Sequence, residues 1–304
     1  MNHCEVCCAT KWSAVGTIYR ARDLPTAVEG AEATLYRCDG CGFRWIHPTL
    51  DEEALLAGYR MIEAGAWGGA VESDHIERRQ FVPKARLLAS LAPQRHAALD
   101  VGCFRGDFVS LLDCEERWGI EISSAAASVA RQRGVNVIED NVFDAAPPRE
   151  HFDIISCFDV VEHVTDQRGL AARLADWLKP GGIVAIETGN ADCLVARAMG
   201  ARWYYYALSQ HLCAHTARSL DLAMGSAGLE LVHCKHAWHQ PPQSQLRAFA
   251  YVGTALTHRV ASDILVSLDS ACIVPSPVMN LAKRPSPQHY SRDHLWRVYR
   301  RAAG

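Results

Sequence analysis

The chain has 304 residues, of which 49% are apolar, and a formal net charge of −3 at neutral pH. This length fits one core of about 150–200 residues plus smaller pieces. The longest strongly apolar stretch without a formal charge, Ala248–Thr257, has ten residues and is too short to span a bilayer. Residues 1–60 carry six Lys or Arg against eight Asp or Glu, whereas a nucleic-acid-binding surface needs excess positive charge. We therefore expect a globular protein with no transmembrane segment and no nucleic-acid partner.

Four cysteines near the amino terminus form two Cys-x-x-Cys pairs separated by 30 residues, Cys4 with Cys7 and Cys38 with Cys41. Thiolates at this spacing can hold one tetrahedral Zn²⁺ ion between two turns. The long separation predicts an inserted hairpin over residues 17–36. The adjacent Cys8 is either a spare thiol or a substitute ligand for Cys7.

Disulfide bonds are the competing account of these cysteines. No charged and then apolar leader follows Met1, as a secretory signal would require. The other cysteines are scattered through apolar segments, as in reduced cytosolic proteins. We expect a cytoplasmic protein whose zinc is structural, because four thiolates leave no open coordination position for catalysis.

The next predicted elements are a helical connector over residues 51–95, with a core helix over Asp74–Ala92, and then an apolar strand that contains Asp100. Gly102 and Gly106 flank a tight turn after this strand, and a helix is expected to open at Asp107. About 20 residues later, the strand over residues 117–122 places Glu121 where an acid can accept hydrogen bonds from ribose hydroxyls. Strand, glycine turn and second acid together indicate a nucleotide-binding βαβ unit.

The glycine turn also bears on which nucleotide is bound. A dinucleotide fingerprint needs glycine two positions after Gly102, where this chain has Phe104. The pattern Asp-x-Gly-Cys-x-x-Gly, from Asp100 through Cys103 to Gly106, instead resembles motif I of class I S-adenosylmethionine (SAM)-dependent methyltransferases. Their cofactor has no phosphate to cradle, and members of that family usually carry glycine at the Phe104 position. The alternative is a similar fold that binds another nucleoside cofactor or none.

The remaining strands follow in the order expected for that family. Residues 135–140 form a third strand, the nearly continuous apolar run Phe152–Phe158 a fourth, and Ile183–Thr188 a fifth, preceded by a helix over Leu170–Leu178. Strands that alternate with helices predict an α/β, doubly wound, Rossmann-like, seven-stranded and mostly parallel sheet, with ligands at the carboxyl ends of the strands. The resemblance covers residues 75–236 and implies SAM as cofactor, with Asp140 at the adenine amino group. It assigns SAM binding to Asp100, Gly102, Cys103, Gly106, Glu121, Asp140, Asn141 and Phe158.

The fourth strand runs into Asp159-Val-Val-Glu162-His163. This segment resembles the Glu-x-x-acid-His segment of ubiquinone-pathway O-methyltransferases, which implies a divalent cation near the substrate hydroxyl. Asp159 and His163 are accordingly candidate catalytic residues. The alternative is that Glu162 and His163 only order the loop.

Residues 202–215, which we call the acceptor segment, contain Trp203, three consecutive tyrosines and two histidines. In the resembled family this region covers the substrate side of the sheet. Its aromatic side chains predict a flat apolar wall for a ring-shaped acceptor. His211 is the leading candidate for the general base, because the pKa of histidine lies near working pH, and His215 is a weaker candidate. The alternative is that these histidines are structural. His233, His236 and His239 are expected to face neighbouring loops.

The chain ends in a predicted helical extension over residues 246–304, with helices over Ala248–Leu256 and Val260–Leu268 and a basic, solvated terminal helix over Arg292–Arg301. The predicted domains are thus a zinc-binding module (1–50), a connector or lid (51–95), a SAM-binding core (96–245) and this extension. The predicted function is SAM-dependent methyl transfer, favouring O-methylation, to a sugar, glycan or secondary metabolite. C- or N-methylation, methylation of rRNA or tRNA, and a non-catalytic scaffold are the alternatives, and the oligomeric state is left open.

Overall fold

The computed structural model describes residues 3–21, 23–28, 30–63, 80–237, 257, 260 and 293–303. Residue contacts divide the chain into two compact units. Unit 1 comprises residues 1–51, 188–220 and 236–295, and unit 2 comprises residues 52–187, 221–235 and 296–304. Within the described part of the chain, no helix has the length and apolar character needed to cross a membrane.

The described residues form eleven strands, which are β1 (Trp12–Tyr19), β2 (Glu32–Cys38), β3 (Arg44–His47), β4 (Ala97–Val101), β5 (Glu116–Ile120), β6 (Asn136–Ile138), β7 (Phe152–Phe158), β8 (Leu178–Gly189), β9 (Cys213–Ala214), β10 (Leu229–Ala237) and β11 (His294–Arg301). The α-helices in the same ranges are α1 (Glu52–Arg60), α2 (Val82–Leu91), α3 (Ser124–Gln132), α4 (Gln167–Trp177), α5 (Leu194–Met199), α6 (Tyr204–Ala207) and α7 (Ala217–Gly225). Side-chain caps begin α3 and α4, where Ser123 accepts the Ala126 N–H and Asp166 accepts the Gly169 N–H, as polar residues at helix N-termini do.

Unit 1 is built on a four-stranded sheet of order β1-β2-β3-β9. Strands β1 and β2 form an antiparallel hairpin between the two cysteine pairs, which confirms the predicted insertion. Strand β9 comes from the acceptor segment and pairs with β3, with Trp45 opposite Cys213. The sheet next to the two cysteine pairs is therefore completed by residues that lie more than 160 residues further along the chain.

The aromatic residues of the acceptor segment form the core of unit 1. Trp203, Tyr205 and Tyr206 are buried and belong to one apolar cluster with Ile18 and Leu35 of the hairpin. The Tyr206 hydroxyl accepts a hydrogen bond from Arg44 at 2.5 Å, and its burial raises the tyrosine pKa to about 12. The prediction of an open aromatic wall is therefore wrong for these side chains, because their area is used to bury the hairpin face.

Unit 2 is built on a seven-stranded sheet of order β10-β11-β8-β7-β4-β5-β6. The neighbouring pairs β8-β7, β7-β4, β4-β5 and β5-β6 are parallel, which confirms the predicted mostly parallel α/β sheet. Strand β4 is buried along its whole length, as expected for a strand covered on both faces. Its residue Asp100 lies opposite Gly119 of β5 and Ser156 of β7.

Two predicted helices are wrong. The basic carboxyl-terminal segment is strand β11 and not a solvated helix, because Trp296, Val298 and Tyr299 are buried and Asp221 compensates the charge of Arg297 at 2.9 Å. The helix expected at Asp107 is reduced to a 3₁₀ turn over Val109–Leu111.

Several other predictions lie outside the described residues. The predicted core helix over Asp74–Ala92 is described from residue 80 onward, where α2 begins at Val82. The helices predicted over Ala248–Leu256 and Val260–Leu268 fall outside the description, apart from Val260 itself.

Candidate active site and metal centre

The loop after β4 is held in a left-handed backbone conformation at three positions. The φ angles are 71° at Gly102, 47° at Phe104 and 72° at Gly106. A Cβ added to Gly102 would lie 2.7 Å from a Val160 methyl group, so this position requires glycine for space as well as for conformation. Phe104 adopts the same conformation with a side chain, which ordinarily costs about 1–2 kcal/mol. The turn expected of motif I is thus formed despite the substitution.

Glu121 ties this loop to the end of β5. Its carboxylate accepts the Phe104 N–H at 2.9 Å and the Ser123 N–H at 2.7 Å. Only 9% of the residue is exposed, and burial raises the pKa of Glu121. A carboxylate has about four lone-pair positions, so capacity remains for ligand hydroxyl groups after both backbone donors are bound.

Asp100 is a second buried acid on the same edge of the sheet. Its Oδ1 accepts a hydrogen bond from the Ser156 hydroxyl at 2.6 Å. Burial raises the pKa of Asp100 to about 7, and the neighbouring charge of Glu121 acts in the same direction. Sequence reasoning missed Ser156; its signal was a lone polar residue inside the apolar run of β7.

The other predicted SAM-binding residues also lie near strand ends, in different local settings. Cys103 is buried against the backbone of Gly119, and its burial raises the thiol pKa. Asp140 and Asn141 follow β6; the Asn141 side chain caps the next turn by accepting the Phe143 N–H at 2.8 Å. Phe158 is half-buried at the end of β7. All of these positions lie at the carboxyl ends of parallel strands, as predicted.

The segment after β7 is held by hydrogen bonds to β8 and to α1. Asp159 is exposed with φ at 51°, and its N–H donates to the Glu187 carbonyl at 2.9 Å. Glu162 is fully buried. The His163 Nδ1 atom lies 2.7 Å from the Tyr59 hydroxyl of α1, a contact that gives this histidine a defined orientation.

The two histidines of the acceptor segment have different surroundings within unit 1. His211 Nδ1 lies 2.8 Å from the Tyr205 carbonyl, so Nδ1 carries the proton and Nε2 is the basic nitrogen of the neutral ring. His215 is fully buried against Phe43, and burial lowers its pKa to about 3. His215 is therefore neutral at working pH, and its Nδ1 atom lies 3.2 Å from the Ser219 hydroxyl.

The four predicted metal ligands converge in unit 1. The Sγ atoms of Cys4 and Cys41 are 3.7 Å apart, and those of Cys7 and Cys38 are 3.5 Å apart. All four sulfur atoms lie within 4.8 Å of one another. Zn–S bonds of about 2.3 Å give a tetrahedral edge of roughly 3.8 Å. The arrangement matches the spacing of a tetrahedral thiolate site, and these distances are too long for disulfide bonds.

The two cysteine turns have the same backbone pattern. The Cys8 N–H donates to the Cys4 carbonyl and the Gly42 N–H to the Cys38 carbonyl, both at 2.9 Å. Cys8 and Gly42 are both left-handed, with φ angles of 59° and 79°. Cys8 is thus the counterpart of Gly42, and its exposed thiol lies outside the four-sulfur cluster described above.

Sequence reasoning also missed a buried ion pair near the end of β8. Lys84 of α2 is bonded to Glu187, and their side chains are 14% and 4% exposed. The rings of Phe81, Phe158 and Trp296 lie 5.7, 5.1 and 5.2 Å from the ammonium nitrogen. No local pattern in the sequence marks this lysine, because all of its partners except Phe81 come from three other elements, β7, β8 and β11.

Comparison with known proteins identifies the family. A family model described as a methyltransferase domain matches residues 74–234, which are more than half of the chain. The ubiquinone biosynthesis O-methyltransferase of Bradyrhizobium sp. (strain ORS 278) is 35% identical over 126 residues, covering 38% of this chain and 47% of that protein. The protein of the same description from Burkholderia thailandensis is 29% identical over 159 residues, covering 47% and 68%. The chain spans about half the length of the first curated relatives it matches.

Solved structures show the same fold at low sequence identity. A SAM-dependent methyltransferase from Thermotoga maritima has a TM-score of 0.50 at 15% identity, covering 76% of this chain and 93% of that chain. A chain from the complex between the Haloferax volcanii Trm112 methyltransferase activator and a methyltransferase has a TM-score of 0.52 at 14% identity, covering 79% and 98%. Sheet order and strand-end acids define a Rossmann-like methyltransferase fold. The chain belongs to the class I SAM-dependent methyltransferase family.

Proposed function

We propose that this protein transfers a methyl group from SAM to a hydroxyl group of a small-molecule acceptor. The observation that carries the proposal is the Glu121 carboxylate, which is held at the end of β5 by the N–H groups of Phe104 and Ser123. Two backbone donors fix its position before a ligand arrives, so it can accept hydrogen bonds from ribose hydroxyls without reordering. Asp140 after β6 is the proposed acceptor for the adenine amino group.

The chemistry of this edge of the sheet fits a cationic nucleoside better than a dinucleotide. Asp100 and Glu121 are both buried acids, and a nearby positive charge would favour their ionised forms whereas a bound pyrophosphate would oppose them. The side chain of Phe104 occupies the position where a dinucleotide fold needs glycine for close phosphate approach. SAM bound here supplies a methyl group on a positively charged sulfur. The protein's part is to orient the donor and to remove the acceptor proton.

His211 is the proposed general base. Because its Nδ1 proton is committed to the Tyr205 carbonyl, its Nε2 lone pair is directed by the fold and can take a proton from a hydroxyl group. Asp159 and His163 are the proposed alternatives, alone or through a divalent cation held with Glu162. O-methylation is favoured because the curated relatives matched in sequence are ubiquinone biosynthesis O-methyltransferases. We propose phenols and sugar hydroxyls as the first acceptor classes to test.

The four-cysteine cluster is proposed to hold one structural zinc ion through Cys4, Cys7, Cys38 and Cys41. Metal analysis of the purified protein should find one zinc per chain. The variant Cys4→Ser should lose it, whereas Cys8→Ser should keep it. Retention of zinc in Cys4→Ser, or its loss in Cys8→Ser, would contradict this ligand set.

The donor proposal is tested by calorimetric titration of the full chain with S-adenosylhomocysteine, followed by incubation with SAM and a panel of phenols and sugars. Binding, and an acceptor that gains the mass of one methyl group, are the expected results. A folded protein that binds neither SAM nor S-adenosylhomocysteine would contradict the proposal and leave a scaffold role.

A further inference from the structure

The hairpin of unit 1 is hydrogen-bonded to the acceptor segment through one buried arginine. Arg20 directly follows β1 and is 6% exposed. Its Nη1 atom lies 3.3 Å from the Tyr206 carbonyl, 2.9 Å from the Leu208 carbonyl and 3.2 Å from the His211 carbonyl. One guanidinium group thus fixes the backbone on both sides of the turn that ends at His211.

The same loop of the hairpin also supplies acceptors to this turn. Asp23 accepts the Ser209 N–H at 2.8 Å and the Gln210 N–H at 3.4 Å. The Ala21 N–H donates to the Ala207 carbonyl at 2.8 Å. Burial lowers the pKa of Arg20 to about 10, and Asp23 acts in the opposite direction. Arg20 therefore remains charged at neutral pH, and charged hydrogen bonds are stronger than neutral ones.

The cysteine turns hold the other end of the acceptor segment. The Ile46 N–H donates to the Leu212 carbonyl at 3.0 Å, and β3 pairs with β9. The Thr216 hydroxyl donates to the carbonyl of Cys41 at 3.1 Å. Hydrogen bonds therefore join Cys41 and the strand that follows it, β3, to residues 212–216, directly after His211.

We propose that Arg20 and Asp23 are positioning residues for His211 and that metal in the four-cysteine cluster is needed to hold the residues that directly follow His211. The inference rests on the proposed function, in which His211 is the general base. A base must be held within about 0.5 Å of its productive position, and a turn without regular secondary structure does not achieve this alone. The zinc module would then help to position the proposed general base within unit 1.

The first test measures the order of residues 206–211 in the full-length protein. Arg20→Met should speed hydrogen exchange of these amides by about tenfold or more, since it removes charged bonds to three carbonyls. Diethylpyrocarbonate modification of His211, followed by mass spectrometry, should accelerate similarly, and its pH dependence should shift. Arg20→Lys should show a smaller effect, because it keeps a positively charged donor group near these carbonyls on a shorter side chain.

Arg37→Met is the matched control, since Arg37 lies in the same sheet with its side chain 51% exposed and paired only loosely with Asp39 at 3.6 Å. The control should leave exchange and modification unchanged. If Arg20→Met does not fold, Asp23→Asn is expected to give the same changes more weakly. Unchanged exchange and His211 modification in both folded variants would overturn the positioning role.

The second test concerns the metal. Cys41→Ser, or removal of zinc by a thiol-reactive mercurial and a chelator, should raise exchange over residues 206–216 together with that of β3. The affinity for S-adenosylhomocysteine should remain within about twofold of the native value, because the residues proposed to bind SAM belong to unit 2. Protection of residues 206–216 without metal would overturn the metal requirement. Loss of donor binding in the metal-loaded native protein would instead count against the proposed function.

Discussion

Removal of the Glu121 carboxylate tests whether the end of β5 is the donor site. In Glu121→Ala, the N–H groups of Phe104 and Ser123 lose their common acceptor. Losing the acceptor for a ribose hydroxyl costs about 1–3 kcal/mol. The loop after β4 must then be ordered during binding, at about 1–2 kcal/mol for each residue fixed. If one residue, Phe104, must be fixed, the total of roughly 2–5 kcal/mol corresponds to about a 30- to 4,000-fold weaker affinity for S-adenosylhomocysteine.

The assay is isothermal titration calorimetry at neutral pH, accompanied by a thermal unfolding curve for each variant. Glu139→Ala is the matched control, because Glu139 follows the next strand and is exposed, bonded to Ser124 and Arg131 at the surface. This control should bind within about twofold of the native protein. An affinity for Glu121→Ala within threefold of the native value, in a variant that is folded, would refute the ribose assignment.

Three further predictions concern stability. The pKa of Asp100 is about 7 in the folded chain against 3.8 unfolded. The folded state therefore binds the extra proton, and Asp100 lowers the free energy of unfolding by up to about 4 kcal/mol as pH rises from 4 to 7. Asp100→Asn should remove this decline in urea titrations, and an identical pH dependence in both proteins would contradict it. Cys8→Gly should raise the free energy of unfolding by about 0.5–1 kcal/mol by relieving left-handed strain, whereas Gly42→Ala should lower it. If both variants changed the free energy of unfolding in the same direction, the two cysteine turns would not be equivalent. Lys84→Met should destabilise by about 3–5 kcal/mol because it strands the Glu187 carboxylate, and Lys84→Met with Glu187→Gln should recover most of the loss in a double-mutant cycle. No recovery would show that the pair is not coupled.

The strands and the loop that form the proposed SAM site could be predicted because their signals are local. An apolar run that ends in an acid and is followed by Gly102 and Gly106 fixes a strand, its end and a left-handed turn within about ten residues. The same holds for the two cysteine turns, where four ligands lie at short spacings. Even the departure from the pattern at Phe104 was visible in the sequence, although its φ of 47° was known only from the fold.

The predictions that were wrong depend on distant partners. From its sequence alone, the terminal segment resembles a basic helix. In the fold it is a strand, because Asp221 compensates the charge of Arg297 and the β-sheet buries Trp296. The aromatic residues of the acceptor segment could line a ligand site or fill a core equally well. They form a core because the apolar face of the hairpin packs against them. Local propensity does not distinguish these outcomes.

The amino-acid sequence by itself determined the α/β class, the acids at the strand ends and the two cysteine pairs. Each of these features follows from short-range spacing and from the periodicity of apolar residues. Only the tertiary structure decided that β9 completes the cysteine sheet and that Arg20 contacts carbonyls 186–191 residues away. The physical reason is that such contacts are selected by shape and charge complementarity between whole faces, which no window of neighbouring residues contains.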